Sequence, residues 1–273
     1  KKVNNVLEGV QFRLDHYNDT SDKTDKWETI TTTGTNEEGK ITASDLKPGK
    51  YRFVELGYAS GKENSYIINK DAVYEFTIDK KGEIQYTTKP SESDNWDFVI
   101  DTANKTIEVY NYKPYMDKNV QDRGTNDWVQ ASDYNVGDEV PYQITVTVPK
   151  NIADLRTFKV TDAPNHLAYV ANSMTVTAGG KTLDYTLDTT DPENGFTVAF
   201  VPSEIANYAG QQIVISYKSK LLENAAIDVN GNHNTAKLIY SNKTGKTSDS
   251  SDDTTNEIED SAIVYTFKIK VIK

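Results

Sequence analysis

The chain is 273 residues long and acidic, with a formal net charge of −11, and 36% of its residues are hydrophobic. At roughly 100–200 residues per domain the length suits two domains, and the charge repels nucleic acid and anionic lipid surfaces. Cysteine is absent and the histidines His16, His166 and His233 stand singly, so disulfides, thiolate chemistry and a histidine-rich metal site are excluded as organising features.

Short alternating runs and turns dominate, and the 17 tyrosines and many threonines favour strands. Val10-Gln11-Phe12-Arg13-Leu14 alternates apolar and polar residues with the period of a half-buried strand. Glu38-Gly39-Lys40 and Leu46-Lys47-Pro48-Gly49-Lys50 are turn signals, followed by strands over residues 51–56 and 73–78 and a turn at Lys80-Lys81-Gly82. A strand over residues 107–112 closes a first unit of residues 1–114, because Pro114 ends strand pairing. A second unit spans residues 115–267, with its longest alternating run at 140–149 and further strands at 157–161, 173–178, 196–201, 212–218, 236–240 and 262–272. Residues 202–208 and 221–227 read as brief helices. Residues 248–260 hold six acids and no base; they read as a solvated loop, with a calcium loop as the sharper alternative, although EF-hand spacing is missing. The expected class is all-β, two tandem sandwiches.

Signatures of turnover are missing: no P-loop, GxGxxG, GxSxG or HExxH. Acids are plentiful, but nothing selects a pair for glycoside hydrolysis, and Trp27, Trp96 and Trp128 are residues that more often fill a core or rim than stack on sugars. No apolar run approaches the ~20 residues of a membrane-spanning helix, and neither a signal peptide nor an LPxTG motif is visible, as in an ectodomain whose ends have been removed.

Three segments of the first unit resemble the Cna-B modules of Gram-positive surface proteins. Leu7-Glu8-Gly9-Val10-Gln11-Phe12-Arg13-Leu14 looks like their LxGAxFxL opening, and Leu46-Lys47-Pro48-Gly49-Lys50-Tyr51-Arg52-Phe53-Val54-Glu55 like their LxPGxYxxxE segment. Ile107-Glu108-Val109-Tyr110-Asn111 looks like their closing strand, while Glu55-Leu56-Gly57-Tyr58 departs from the usual ExxAPxGY continuation. The second unit resembles the isopeptide-forming domain of pilus backbone subunits, through Val136-Gly137-Asp138-Glu139-Val140-Pro141-Tyr142, Phe158-Lys159-Val160-Thr161-Asp162, Asn234-Thr235-Ala236-Lys237-Leu238-Ile239-Tyr240-Ser241-Asn242 and Val264-Tyr265-Thr266-Phe267. The resemblance implies tandem immunoglobulin-like sandwiches, Cna-B-like then Cna-A-like.

It also implies a reaction in which a buried lysine amine attacks an asparagine carboxamide and ammonia leaves. The amine must be neutral to act as a nucleophile, and burial favours that form. A nearby carboxyl kept protonated by burial polarises the amide and relays protons. Folding supplies a proximity equivalent to ~7–11 kcal/mol of barrier. Each molecule reacts once, so the chain is not expected to be an enzyme and needs no cofactor.

In the second unit Lys118 matches the donor, Asp162 the relay, and Asn234 or Asn242 the acceptor. Asn234 is preferred because it shares a pleat face with Ala236, Leu238 and Tyr240. Without the resemblance, Lys118 reads as an exposed residue at the seam and Asp162 as a turn cap before Pro164, since lysine is rarely buried. In the first unit Glu55 and Asn111 match relay and acceptor, and Glu55 alternates with Phe53 and Tyr51 onto the inward face. Lys1 and Lys2 sit too close to Gly9 to be its donor. Phe267-Lys268-Ile269-Lys270-Val271-Ile272-Lys273 looks like the first strand of a further Cna-B module over residues 268–273, so the chain is expected to be cut or permuted across a module boundary; if permuted, Lys273 is the donor to Asn111, and otherwise the donor strand lies upstream of residue 1.

Tyr112-Lys113-Pro114 resembles the pilin VYPK motif in altered order, which makes Lys113 the candidate for sortase linkage. The implied role is structural: a subunit of an extracellular, wall-anchored fibre, with sortase and further pilin subunits as partners and no membrane contact by this segment. The alternatives are an adhesin for a host matrix protein or glycan, and a glycan-active enzyme carrying such modules as accessories.

Overall fold

A computed structural model describes residues 6–86, 98–101, 103–245 and 253–268, and these are almost wholly strand and turn. The chain is all-β. It divides into two compact units between Lys113 and Pro114, and again between Ser241 and Asn242, after which a short segment belongs to the first unit.

The first unit is built on β1 (Val10–Tyr17), β2 (Trp27–Gly34), β3 (Gly49–Tyr58), β4 (Val73–Ile78) and β5 (Ile84–Tyr86), in the sheet order β2-β1-β3-β4-β5. A separate ribbon pairs β6 (Phe98–Asp101) with β7 (Thr106–Val109). Periodicity points to β1, β3 and β4 because one face of each is buried. β2 escapes it because its central residues Thr29–Thr32 are all exposed, so no apolar period is written into an edge strand. Val10, Phe12, Ile68, Ala72 and Tyr74 form one core, with Val109 packed against it. Leu14, Tyr51 and Phe76 form another, with Ile107 against it. Ile67 pairs with Tyr112 and Ile68 with Lys243, which ties the loop after β3 to the unit's final segments.

The second unit contains β8 (Tyr115–Gln121), β9 (Trp128–Val129), β10 (Ala131–Asp133), β11 (Glu139–Thr147), β12 (Phe158–Pro164), β13 (Leu167–Tyr169), β14 (Thr175–Ala178), β15 (Lys181–Thr182), β16 (Thr186–Asp188), β17 (Phe196–Ala199), β18 (Gln212–Leu221), β19 (Asn232–Ser241) and β20 (Thr255–Tyr265). One sheet runs β15-β14-β18-β11-β8-β9, with β13 also on β18; the other runs β10-β20-β19-β12-β17-β16. Alternation is strict on β8 and β11, and on β19 as far as Tyr240; their inward residues include Met116 and Val120, Val140 to Val146 at every second position, and Ala236, Leu238 and Tyr240.

Two local expectations are corrected. Of the segments read as helices, one holds only a 3-10 turn at Ala206–Tyr208, and the other starts on the last residue of β18 and continues as turn. The acidic loop is strand from Thr255 onward. Its charges hide a period of two, in which Glu257 and Glu259 point outward and bracket Lys237 of β19 at 3.3 and 3.2 Å. Among the described residues no group of His, Asp or Glu is placed to hold a metal ion; residues 248–252 lie outside them.

Gly195 fixes how β17 meets β12. Its φ is +86°, and a Cβ there would lie 1.9 Å from the Asp162 carbonyl oxygen and 2.7 Å from Pro164 Cδ. Gly195→Ala is therefore expected to cost about 2 kcal/mol or more, read as a lower urea midpoint of the second unit's unfolding.

Candidate functional site

β8 places Lys118 between Met116 and Val120 on its inward face, so the lysine stem is buried with theirs and the residue is fully inaccessible to solvent. β8 has a short neighbour on one side only near Val120, so side chains complete the backbone bonding there. The Lys118 N–H donates to Asp260 Oδ2 at 2.7 Å, and its carbonyl accepts from Gln130 Nε2 at 2.8 Å.

The Lys118 amine reaches across to the opposite sheet at β12 and, within its own sheet, to β18. It donates to Asp162 Oδ1 on β12 and, at 2.6 Å, to the hydroxyl of Tyr217 on β18. It lies 5.2 and 5.3 Å from the ring centroids of Tyr142 and Tyr217, which stack on each other. The Tyr217 hydroxyl donates to Asp162 Oδ1 at 2.8 Å and accepts from Asn234 Nδ2 on β19 at 3.2 Å. Amine and carboxamide thus meet on one oxygen. Asp162 Oδ2 and Asn234 Oδ1 are buried without a hydrogen-bond partner.

Burial drives the Lys118 pKa below its ordinary 10.5, while the negative charge of Asp162, and more weakly that of Asp260, pulls it back. Burial, followed by the charge of Asp162, holds the hydroxyls of Tyr217 and Tyr142 well above 10.0.

In the first unit Glu55 is fully buried on β3. Its Oε1 accepts from Asn111 Nδ2 at 2.7 Å and from the Asn69 N–H at 3.0 Å, and its Oε2 accepts from the Tyr74 hydroxyl at 3.3 Å. Asn111 Nδ2 also donates to the Ile67 carbonyl at 3.0 Å. Desolvation raises the Glu55 pKa from 4.5 to about 7, against those hydrogen bonds.

The structure therefore brings Lys118, Asp162 and Asn234 together, and Glu55 with Asn111. Asn242 falls instead in the first unit, where its carbonyl accepts from the Ile68 N–H at 2.9 Å. Lys113 is exposed, its amine 5.1 Å from the Tyr66 ring centroid. Lys273, the expected donor to Asn111, lies outside the described residues, as do Lys1 and Lys2; Phe267 and Lys268 are exposed and in no strand. Sequence reasoning missed Tyr217, Asp260 and Asn69. Tyr217 had a signal: it continues the inward row Ile213, Ile215 with a polar-tipped residue.

Residues 1–92 match the family model described as SpaA, a prealbumin-like fold domain. The Trypsin-resistant surface T6 protein of Streptococcus pyogenes serotype M6 is 30% identical over 169 residues, 54% of this chain and 31% of that protein. The solved T6 backbone pilin of the same serotype aligns with 95% of this chain and 63% of its own at TM-score 0.56 and 16% identity. BcpA, the major pilin subunit of Bacillus cereus, aligns with 94% of this chain and 64% of its own at TM-score 0.53 and 18% identity. The chain resembles Gram-positive pilus backbone subunits. SpaD, the major pilin of Corynebacterium diphtheriae, gives the same picture, with TM-score 0.53 and 19% identity over 94% of this chain and 61% of its own. At these identities the likeness to the solved pilins is one of fold, and the chain spans less than two thirds of each relative. Among the described residues no helix is long and apolar enough to cross a membrane.

The Glu55 environment fixes the sign of a pH effect. Its folded pKa lies above the unfolded one, so the stabilisation is present below pH 4.5 and is lost as the pH rises through about 7. The thermal midpoint of the first unit is expected to fall across that interval, and Glu55→Gln, which stays neutral, is expected to flatten the fall in calorimetric scans.

Proposed function

We propose that this chain is a structural segment of a pilus shaft, and that its second unit closes an isopeptide bond between Lys118 and Asn234 with Asp162 as proton relay. The single observation that carries the reading is the buried cluster itself: an amine, a carboxyl and a carboxamide, all within hydrogen-bonding reach of one hydroxyl, in an apolar interior.

The chemistry follows from the placement. Lys118 passes a proton to Asp162 across their contact, which leaves a neutral amine and a neutral carboxyl. The Nζ lone pair adds to Asn234 Cγ, and the Asp162 carboxyl stabilises the oxyanion that forms on Oδ1. The Cγ–Nδ2 bond then breaks, ammonia leaves, and an amide joins the two sheets. A chain without cysteine gains by this route the constraint that a disulfide provides, at no dependence on redox conditions. Linking residues this far apart stabilises the unit by about 5 kcal/mol in the chain-entropy picture.

The first unit is read the same way, with Glu55 as relay, Asn111 as acceptor, and a lysine donor that is Lys273 or lies upstream of residue 1. Sortase would join such subunits head to tail on the extracellular face of the wall, through Lys113 or another lysine. The similarity to pilus backbone subunits supports this assignment.

Intact mass tests the reading. The second unit's bond lowers the mass by one ammonia, and Asp162→Ala and Asn234→Ala are each expected to restore that ammonia while keeping the strand content seen by circular dichroism. An unmodified mass for the parent chain would sink the proposal.

A further inference from the structure

We infer that Tyr217 is a catalytic residue of the second unit's cross-linking reaction, a hydroxyl shuttle that carries a proton from the attacking Lys118 nitrogen to the departing Asn234 nitrogen. This rests on the isopeptide reading above and adds to it a group that the lysine–carboxyl–asparagine scheme lacks.

That scheme leaves one transfer without a carrier. After addition, Nζ holds one proton too many and Nδ2 one too few. The amide product needs Nζ with a single hydrogen, and ammonia leaves only when Nδ2 holds three. The Asp162 carboxyl is engaged with the oxyanion at that moment. Tyr217 is the group that touches both nitrogens, at 2.6 Å from Nζ and 3.2 Å from Nδ2, and it also donates to Asp162 Oδ1 at 2.8 Å. Its hydroxyl accepts a hydrogen bond from the Asn234 carboxamide nitrogen, while the carboxamide oxygen is left open for protonation or oxyanion capture.

The direction of these bonds changes during the reaction in the sense the shuttle needs. In the planar carboxamide the nitrogen has no available lone pair, so it donates to Tyr217. When Cγ becomes tetrahedral that lone pair is freed, and the same nitrogen becomes an acceptor facing the same hydroxyl. Tyr217 then receives a proton from Nζ as it gives its own to Nδ2, and no free phenolate accumulates. The balance closes: the Nζ–Cγ bond forms, the Cγ–Nδ2 bond breaks, one proton moves from Nζ to Nδ2 through the tyrosine oxygen, and Asp162 keeps the proton it took from the ammonium.

The fold holds the hydroxyl in place. Tyr217 is directly paired with Tyr142 across β18 and β11, its ring stacks on Tyr142 at 5.6 Å, and it meets Phe196 edge-on at 4.8 Å. Packing of the ring is therefore separable from the chemistry of its oxygen, so Tyr217→Phe preserves the first and removes the second.

The test follows newly translated chain by intact-mass spectrometry, timing the loss of ammonia in the parent, in Tyr217→Phe and in Asp162→Ala. The parent loses ammonia from the second unit and Asp162→Ala does not; a parent that loses none defeats the underlying cross-link reading itself. Given a cross-linking parent, Tyr217→Phe is expected to close the bond at least about tenfold more slowly, with circular dichroism and thermal unfolding showing a folded unit. Closure at the parent rate overturns the shuttle while leaving the cross-link intact. If Tyr217→Phe does not fold, 3,5-difluorotyrosine placed at position 217 replaces it. That side chain keeps the ring and makes the hydroxyl more acidic, so an altered rate and an altered heavy-water effect support the shuttle, and unchanged values of both overturn it.

Discussion

Taking an ammonium out of water costs several kcal/mol even after the protein relaxes around it, and the second unit does this with Lys118. Everything nearby is arranged around that cost. Asp162 supplies the opposite charge, the Tyr142 ring lies 5.2 Å away for cation–π attraction, and the Tyr217 hydroxyl supplies an acceptor for a further N–H. The Asp260 carboxylate, bound to the lysine's own N–H, adds negative potential without occupying the amine. As a permanent ion pair this would be a poor use of a core, because apolar side chains of the same volume are as stable or more so. As the starting point of a reaction that removes both charges, the same placement makes physical sense.

The position of the groups follows from the period of two. Met116 and Val120 face inward on β8, so Lys118 must as well; Phe158 and Val160 do the same for Asp162, and Ala236, Leu238 and Tyr240 for Asn234. A strand cannot turn one residue outward without turning its neighbours. Two facing sheets then bring three strands distant in sequence to one point.

Much of this could be read from the residues. The inward rows of β11, β18 and β19 are written as alternating apolar side chains, whereas the row on β8 offers only Met116 and Val120 around a lysine, so Lys118 was placed by the resemblance to a donor lysine and not by alternation. Alternation could not show β2, where exposed threonines erase the period, or the strand character of Thr255–Asp260, where acids on both faces obscure it. Which asparagine meets Lys118 depended on cross-strand register: Pro164 opposite Asn234 brings that carboxamide beside Asp162, whereas Asn242 comes after the strand has left the unit. Tyr217 was legible as an inward residue but not as part of the site, because a hydroxyl that touches three other groups is a property of the assembled sheets.

The four groups come from β8, β12, β18 and β19, which run from the first strand of the second unit to its last but one. No partly folded chain can bring them together, since the last arrives only when β19 has paired with β12. The proposed bond is thus a permanent record that a given molecule has completed its fold at least once.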